Sequence, residues 1–167
     1  MKVKVLGKYG PYPKSGGATS AYLLTSDSAT VAFELGSGAF VRLINSVDVS
    51  DLDAIIISHF HFDHCSDIGV LSYYLLRLSI AGKVKLPVKL YCPECDSPLL
   101  AAFKNMKAFD VITVGDGQEI RLKDLSLKFY SVNHPVPCLG FTACDGARTF
   151  AYGGDSNECK NLERSVE

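Results

Sequence analysis

The sequence predicts an α/β sandwich built on mixed sheets. Two observations carry that expectation: strand-like segments alternate with segments of helical spacing along the chain, and several neighbouring strands are separated only by tight-turn residues. Strands separated by a helix tend to run parallel, and strands joined by a short turn run antiparallel, so both kinds of pairing are expected.

Residues 2–6 alternate lysine or leucine with valine, as a strand does. Ala21–Thr25 and Thr30–Leu35 are apolar and β-branched, with Ser26, Asp27 and Ser28 turning the chain between them. Gly36 and Gly38 close the third strand, and residues 39–46 read as a helix. Residues 53–58, DAIIIS, form an apolar run of the kind found in strands buried on both faces. Residues 67–81 carry helical spacing at Ile68, Leu71, Leu75 and Leu78, and Gly82 is a natural stop. A strand over residues 84–91, a helix over 97–106 and a strand over 111–114 follow. Gly115, Asp116 and Gly117 then turn the chain into strands at 119–122 and 125–132. A last hairpin pairs 140–143 with 148–152 around Asp145-Gly146, a type I′ signal.

Nothing in the chain resembles a repeat, a linker or a low-complexity tract, so residues 1–167 are read as a single domain. Seventeen Lys and Arg against eighteen Asp and Glu exclude a globally basic surface for non-specific nucleic-acid binding, though not a local basic patch. No apolar run approaches the roughly 18 residues a membrane span needs, and the first residues lack the apolar segment of a signal peptide. The expectation is a cytoplasmic protein without membrane partners, its six cysteines mostly reduced.

The histidines are few and unevenly placed. Three of four, His59, His61 and His64, fall within SHFHFDHCSD at residues 58–67, directly after the buried strand. Loops at the carboxyl ends of strands project side chains into a crevice, and alternate residues of an extended segment point the same way. His59 and His61 can therefore offer imidazoles to one cation, while Asp63 and His64 on the next turn face a second position. A lone histidine is more often a hydrogen-bonded core residue, but three histidines and an aspartate in six residues are a metal-site signature. Nitrogen and carboxylate donors suit Zn²⁺ first and Mn²⁺ or Fe second. Two later segments complete the set: SVNHPVPCLGF at 131–141 presents His134 just ahead of two prolines that limit loop motion, and AYGGDSN at 151–157 presents Asp155 after paired glycines.

These motifs together resemble the metallo-β-lactamase superfamily of metal-dependent hydrolases, and within it the branch that contains ribonuclease Z and related phosphodiesterase-like hydrolases. The resemblance covers the whole chain, including TSAYLL and FELGSG near its start. It implies an αββα sandwich, with His59, His61 and His134 on a first metal, Asp63 and His64 on a second, and Asp155 bridging. Asp67 either matches an aspartate found three residues after the motif in some of these hydrolases or caps the helix it precedes. The family's last ligand is a histidine well after the bridging aspartate, and no histidine follows Asp155 here. The expectation is thus a sandwich lacking its C-terminal elements, with a weakened second metal position and an uncovered face suited to homodimer formation. Glu34 stands where relatives usually carry aspartate. Cys65 reads as a small core residue, and Cys92 and Cys95 lack the second CxxC that a structural zinc needs.

The implied activity is hydrolysis by hydroxide generated on the metal, with Asp63 orienting the nucleophile and managing its proton. Phosphodiesters, as small molecules or nucleic acid, are the expected substrates. Lactone, thioester or β-lactam cleavage uses the same nucleophile and differs only in the pocket. Oxygen or nitric-oxide reduction at a di-iron centre is disfavoured, because a glutamate commonly occupies the position held here by His61. A non-catalytic metal-binding protein is the remaining alternative.

Overall fold

The computed structural model describes residues 1–161. Strands β1 (Lys2–Gly7), β2 (Ala21–Thr25), β3 (Thr30–Leu35), β4 (Ala54–Ile56), β5 (Val88–Pro93) and β6 (Phe109–Val114) form one sheet in that order. Its first two pairings are antiparallel and the next three parallel, the mixed sheet that the sequence predicts. Strands β7 (Glu119–Leu122), β8 (Leu125–Ser131), β9 (Leu139–Cys144) and β10 (Thr149–Tyr152) form a second, antiparallel sheet.

The central strands of the first sheet are largely apolar because each face meets a different core. Ile55 and Ile57 point to one side, with Ala32 and Leu90. Helices α1 (Ala39–Ile44), α2 (Phe62–Cys65), α3 (Ile68–Ile80) and α4 (Pro98–Lys104) pack there through Leu43, Cys65, Leu71, Leu75 and Phe103. Ala54 and Ile56 point to the other side, with Val31, Phe33 and Tyr91, and meet Leu127, Phe129 and Phe141 of the second sheet. The described residues therefore build three layers, helices on sheet on sheet. The sheets are pinned at one end as well. Ser26 and Ser28 of the β2–β3 turn donate to Asp124 of the β7–β8 turn at 2.6 and 2.8 Å.

The strand expected over residues 2–6 forms as β1, at the edge of the sheet, with Val3 and Val5 exposed and its lysines discouraging further pairing. Several local expectations are corrected. Pro87 has no N–H to give a ladder, so β5 begins at Val88 instead of 84. The Asp145-Gly146 hairpin is not type I′, which needs positive φ at both central residues. Only Gly146 has it, and the loop spans residues 145–148. There the Asp145 carboxylate accepts the N–H groups of Ala147 and Arg148 and meets the N-terminal ammonium of Met1 at 2.9 Å. Asp67 does not cap α3. Its carboxylate accepts the N–H of Phe40 at 2.9 Å and so serves the first turn of α1.

Candidate metal centre

Strand β4 stops where its hydrogen bonding changes hands. The N–H of Ile57 still donates to Tyr91 in β5, but that of Ser58 turns to the buried Glu34 carboxylate at 3.1 Å. The Ser58 carbonyl in turn accepts from the N–H of Leu139, the first residue of β9 in the other sheet. This stitch joins the two sheets at one edge and draws residues 59–64 towards 134–155. Asn133 and Asn157 pair across the two later loops and bring His134 and Asp155 to the same edge.

All six side chains singled out in the sequence meet here, with donor atoms falling into two groups that share Asp155. In the first, Nδ1 of His61 lies 3.0 Å from Nε2 of His59 and 3.2 Å from Nε2 of His134, and Asp155 Oδ2 lies 4.0 Å from His59 Nε2. In the second, Nε2 of His64 lies 3.6 Å from Asp63 Oδ2 and 3.4 Å from Asp155 Oδ1. A tetrahedral cation with donors at about 2.0–2.1 Å separates them by roughly 3.3–3.4 Å, and the donor spacings of both groups, 3.0–4.0 Å, bracket that value.

The electrostatics of His59 agree with that use. His59 is wholly buried, and burial, with the neighbouring imidazoles of His64, His61 and His134, lowers its pKa to about 3. It is therefore neutral at physiological pH, as a ligand must be. Its Nδ1 lies 2.9 Å from Ser58 Oγ and 3.6 Å from Cys138 Sγ. A proton on Nδ1, donated to the Ser58 hydroxyl, leaves the Nε2 lone pair facing the donor cluster. His64 is also buried. Burial opposes its charging, but the facing Glu34 carboxylate, with Asp155 and Asp63, outweighs this and raises its pKa. Glu34 Oε2 and His64 Nδ1 are buried with no aligned hydrogen-bond partner, although they face each other at 3.5 Å.

Backbone fit is close where glycines occur. A Cβ on Gly36 would sit 1.9 Å from the Asp63 carbonyl oxygen, and one on Gly154 would sit 3.0 Å from Cys138 Sγ. Gly36 thus sets how near α2 approaches β3. That short helix carries Asp63 and His64 where the sequence reading placed only a turn. Cys65 faces the helical core, its thiol donating to the His61 carbonyl and raised by burial to about 12. Cys92 is buried and likewise raised to about 12. Ser58 and Cys138 are the partners that the sequence reading passed over. For Ser58 the available signal was its place immediately before His59.

Residues 38–166 match the family model described as a beta-lactamase superfamily domain. The chain is 31% identical over 157 residues to the probable metallo-hydrolase YhfI of Bacillus subtilis (strain 168), an alignment covering 94% of this chain and 64% of that protein. It is 29% identical over 154 residues to ribonuclease Z of Salinispora arenicola (strain CNS-205), covering 86% of this chain and 48% of that one. The crystal structure of YhfI superposes with a TM-score of 0.87 at 30% identity, over 92% of this chain and 63% of that one. Human tRNase Z, short form, superposes at 0.73 with 20% identity, over 96% of this chain and 70% of that one, a likeness of fold alone. The chain therefore spans about two thirds of the first curated relative and about half of the second. Fold, motif and sequence lead to one assignment: this chain belongs to the beta-lactamase superfamily.

Proposed function

We propose that the protein is a metal-dependent hydrolase acting on phosphodiester bonds. His59, His61 and His134 with Asp155 would hold a first Zn²⁺, and Asp63 and His64 would hold a second, with Asp155 between them. Mn²⁺ or Fe suits the same donors less well. The observation that carries the reading is the convergence of three imidazoles at 3.0 and 3.2 Å beside a carboxylate shared with a second donor group. Family membership and the similarity to a probable metallo-hydrolase and to ribonuclease Z proteins support it.

A cation at these donors supplies Lewis acidity to a phosphoryl oxygen and brings the pKa of bound water towards 7. The protein's part is to hold the donors and to handle the proton. Ser58 fixes the tautomer of His59, and Glu34 faces the far nitrogen of His64. Asp63, with its side chain 14% exposed, is the group that accepts the proton of the attacking water. Asp155, 46% exposed, keeps one oxygen towards each donor group. A cytoplasmic location belongs to the same reading, and among the described residues no helix is long and apolar enough to cross a membrane.

The test is turnover of bis(p-nitrophenyl) phosphate against a lactone and a thioester by protein loaded with Zn²⁺ or Mn²⁺. Hydrolysis of the diester above both others is expected. A lactone or thioester rate above the diester rate overturns the phosphodiester assignment.

A further inference from the structure

A cavity of about 420 Å³ opens beside His61, with Phe60, Pro98, Val136 and Pro137 among its walls. Small-molecule sites run from roughly 300 to 1,000 Å³ and are lined mainly by apolar side chains. The walls come from three places: Phe60 lies between His59 and His61, Pro98 opens α4, and Val136 and Pro137 follow His134 in its loop. The two loops that present imidazoles thus also build the cavity, and anything filling it lies against the donor cluster. Phe60 is backed by the ring of Phe103, with centroids 5.8 Å apart, which holds that wall in place.

Charge narrows the occupant further. The carboxylate of Asp96 lines this cavity and that of Glu94 lines the adjoining one, which His134 shares. Among the described residues neither cavity is lined by a lysine or arginine, and Lys104 reaches Glu94 at 3.5 Å. An RNA chain brings one phosphate per nucleotide and is gripped by lysine and arginine along its backbone. With Glu94 paired to Lys104, the carboxylate of Asp96 beside the donor cluster disfavours a second phosphate there. An uncharged aromatic ring meets no such penalty and gains from burial against Phe60 and the prolines.

Resting on the phosphodiesterase reading, we infer that the substrate is a compact diester with a single phosphate, whose aromatic ring occupies the cavity between Phe60 and Val136. Val136 is then a specificity-determining residue for the ring. The inference is tested by calorimetric titration of the zinc-loaded full chain with diphenyl phosphate, diethyl phosphate and a single-stranded oligouridylate. The first two carry the same charge and differ in their rings. Diphenyl phosphate is expected to bind about tenfold or more tightly than diethyl phosphate, and the oligouridylate more weakly than diphenyl phosphate. Val136→Asn, which makes the wall polar without adding charge, is expected to weaken diphenyl phosphate by about tenfold and leave diethyl phosphate within about twofold. Val136→Ala gives a smaller loss in the same direction and serves if the asparagine variant does not fold. Equal affinity for the two diesters, or tighter binding of the oligouridylate, overturns the inference. Failure of the ring preference in protein that still hydrolyses bis(p-nitrophenyl) phosphate sinks only the pocket assignment. Absence of both diester binding and hydrolysis sinks the phosphodiesterase reading with it.

Discussion

Oε2 of Glu34 lies 3.5 Å from Nδ1 of His64, with both side chains buried. The other oxygen of the same carboxylate accepts the N–H of Ser58. One residue therefore faces the ring of His64 and fixes the point where β4 hands over to the histidine segment. Glu34 does this from a left-handed backbone conformation, φ 56°, which a side chain other than glycine adopts only when its surroundings enforce it. Glu34→Gln keeps the shape and removes the charge that faces His64. Groups behind metal ligands tune affinity by about 10–100-fold, so the second zinc equivalent should weaken by that much and the first far less. Chelator-competition titration of the variant reads both, and an unchanged second equivalent would show that Glu34 has no such part.

The two donor groups differ in strength. The first offers three imidazoles and a carboxylate, whereas the second, among the described residues, offers one imidazole, one carboxylate and a share of Asp155. Structural and catalytic zinc sites take at least three protein ligands, and a carboxylate shared by two cations serves each less well. Dialysed protein should hold one tight equivalent of zinc and clearly fewer than two in total by elemental analysis. Two full, equally tight equivalents would contradict this ranking.

Ser58 acts on the first group alone. Its hydroxyl, 2.9 Å from His59 Nδ1, can accept the Nδ1 proton and so supports the tautomer with Nε2 free. Ser58→Ala removes that partner and leaves the backbone bonds of Ser58 to Glu34 and Leu139 in place. Metal-free stability should fall by only about 1 kcal/mol, while first-site zinc affinity should fall roughly tenfold or more. Thermal melting with and without zinc separates the two effects.

The site was legible where its members lie close in the chain. His59, His61, Asp63 and His64 occupy consecutive turns of backbone after an apolar strand, so local geometry alone suggests two facing positions. His134 and Asp155 stood out only by their proline- and glycine-flanked segments, and the family resemblance supplied their metal roles. Their convergence depends on the stitch from Leu139 to Ser58 and on the bridge between Asn133 and Asn157, which are long-range and leave no local pattern. The fold divides in the same way. Strands β2 and β3 are largely apolar and their bounds coincide with the structure. The lysine-valine alternation of β1 instead marks an edge, and α2 is too short for periodicity to reveal. The role of Asp67 at α1 was illegible because its partner, Phe40, lies on another helix.

The two sheets are joined mainly by aromatic packing. Phe33 of β3 is fully buried, stacks on Tyr22 with centroids 4.9 Å apart, and meets Phe141 of β9 edge-on at 5.2 Å. It also touches Phe150 and Tyr152 of β10, the strand that leads to Asp155. Phe33→Ala leaves a void between two sheets whose separation is set by many other side chains, so collapse is limited. The cost should be about 3–5 kcal/mol by urea unfolding of metal-free protein. A loss below about 1 kcal/mol would mean that the sheets close over the gap.

Asp63 carries the prediction that separates holding a metal from using it. Its carboxylate is 3.6 Å from His64 Nε2 and partly exposed, and its main chain is fixed by the close approach to Gly36. Asn at this position keeps an oxygen towards the second donor group but cannot take up a proton at neutral pH. The first zinc equivalent, which does not involve Asp63, should therefore be retained in Asp63→Asn. The rate on bis(p-nitrophenyl) phosphate should fall by about 10²–10⁴-fold, the usual contribution of a positioned general base. Parallel zinc analysis and steady-state kinetics decide the matter. Retained metal with near wild-type turnover would take Asp63 out of the chemistry, whereas lost turnover with intact first-site binding assigns it the proton.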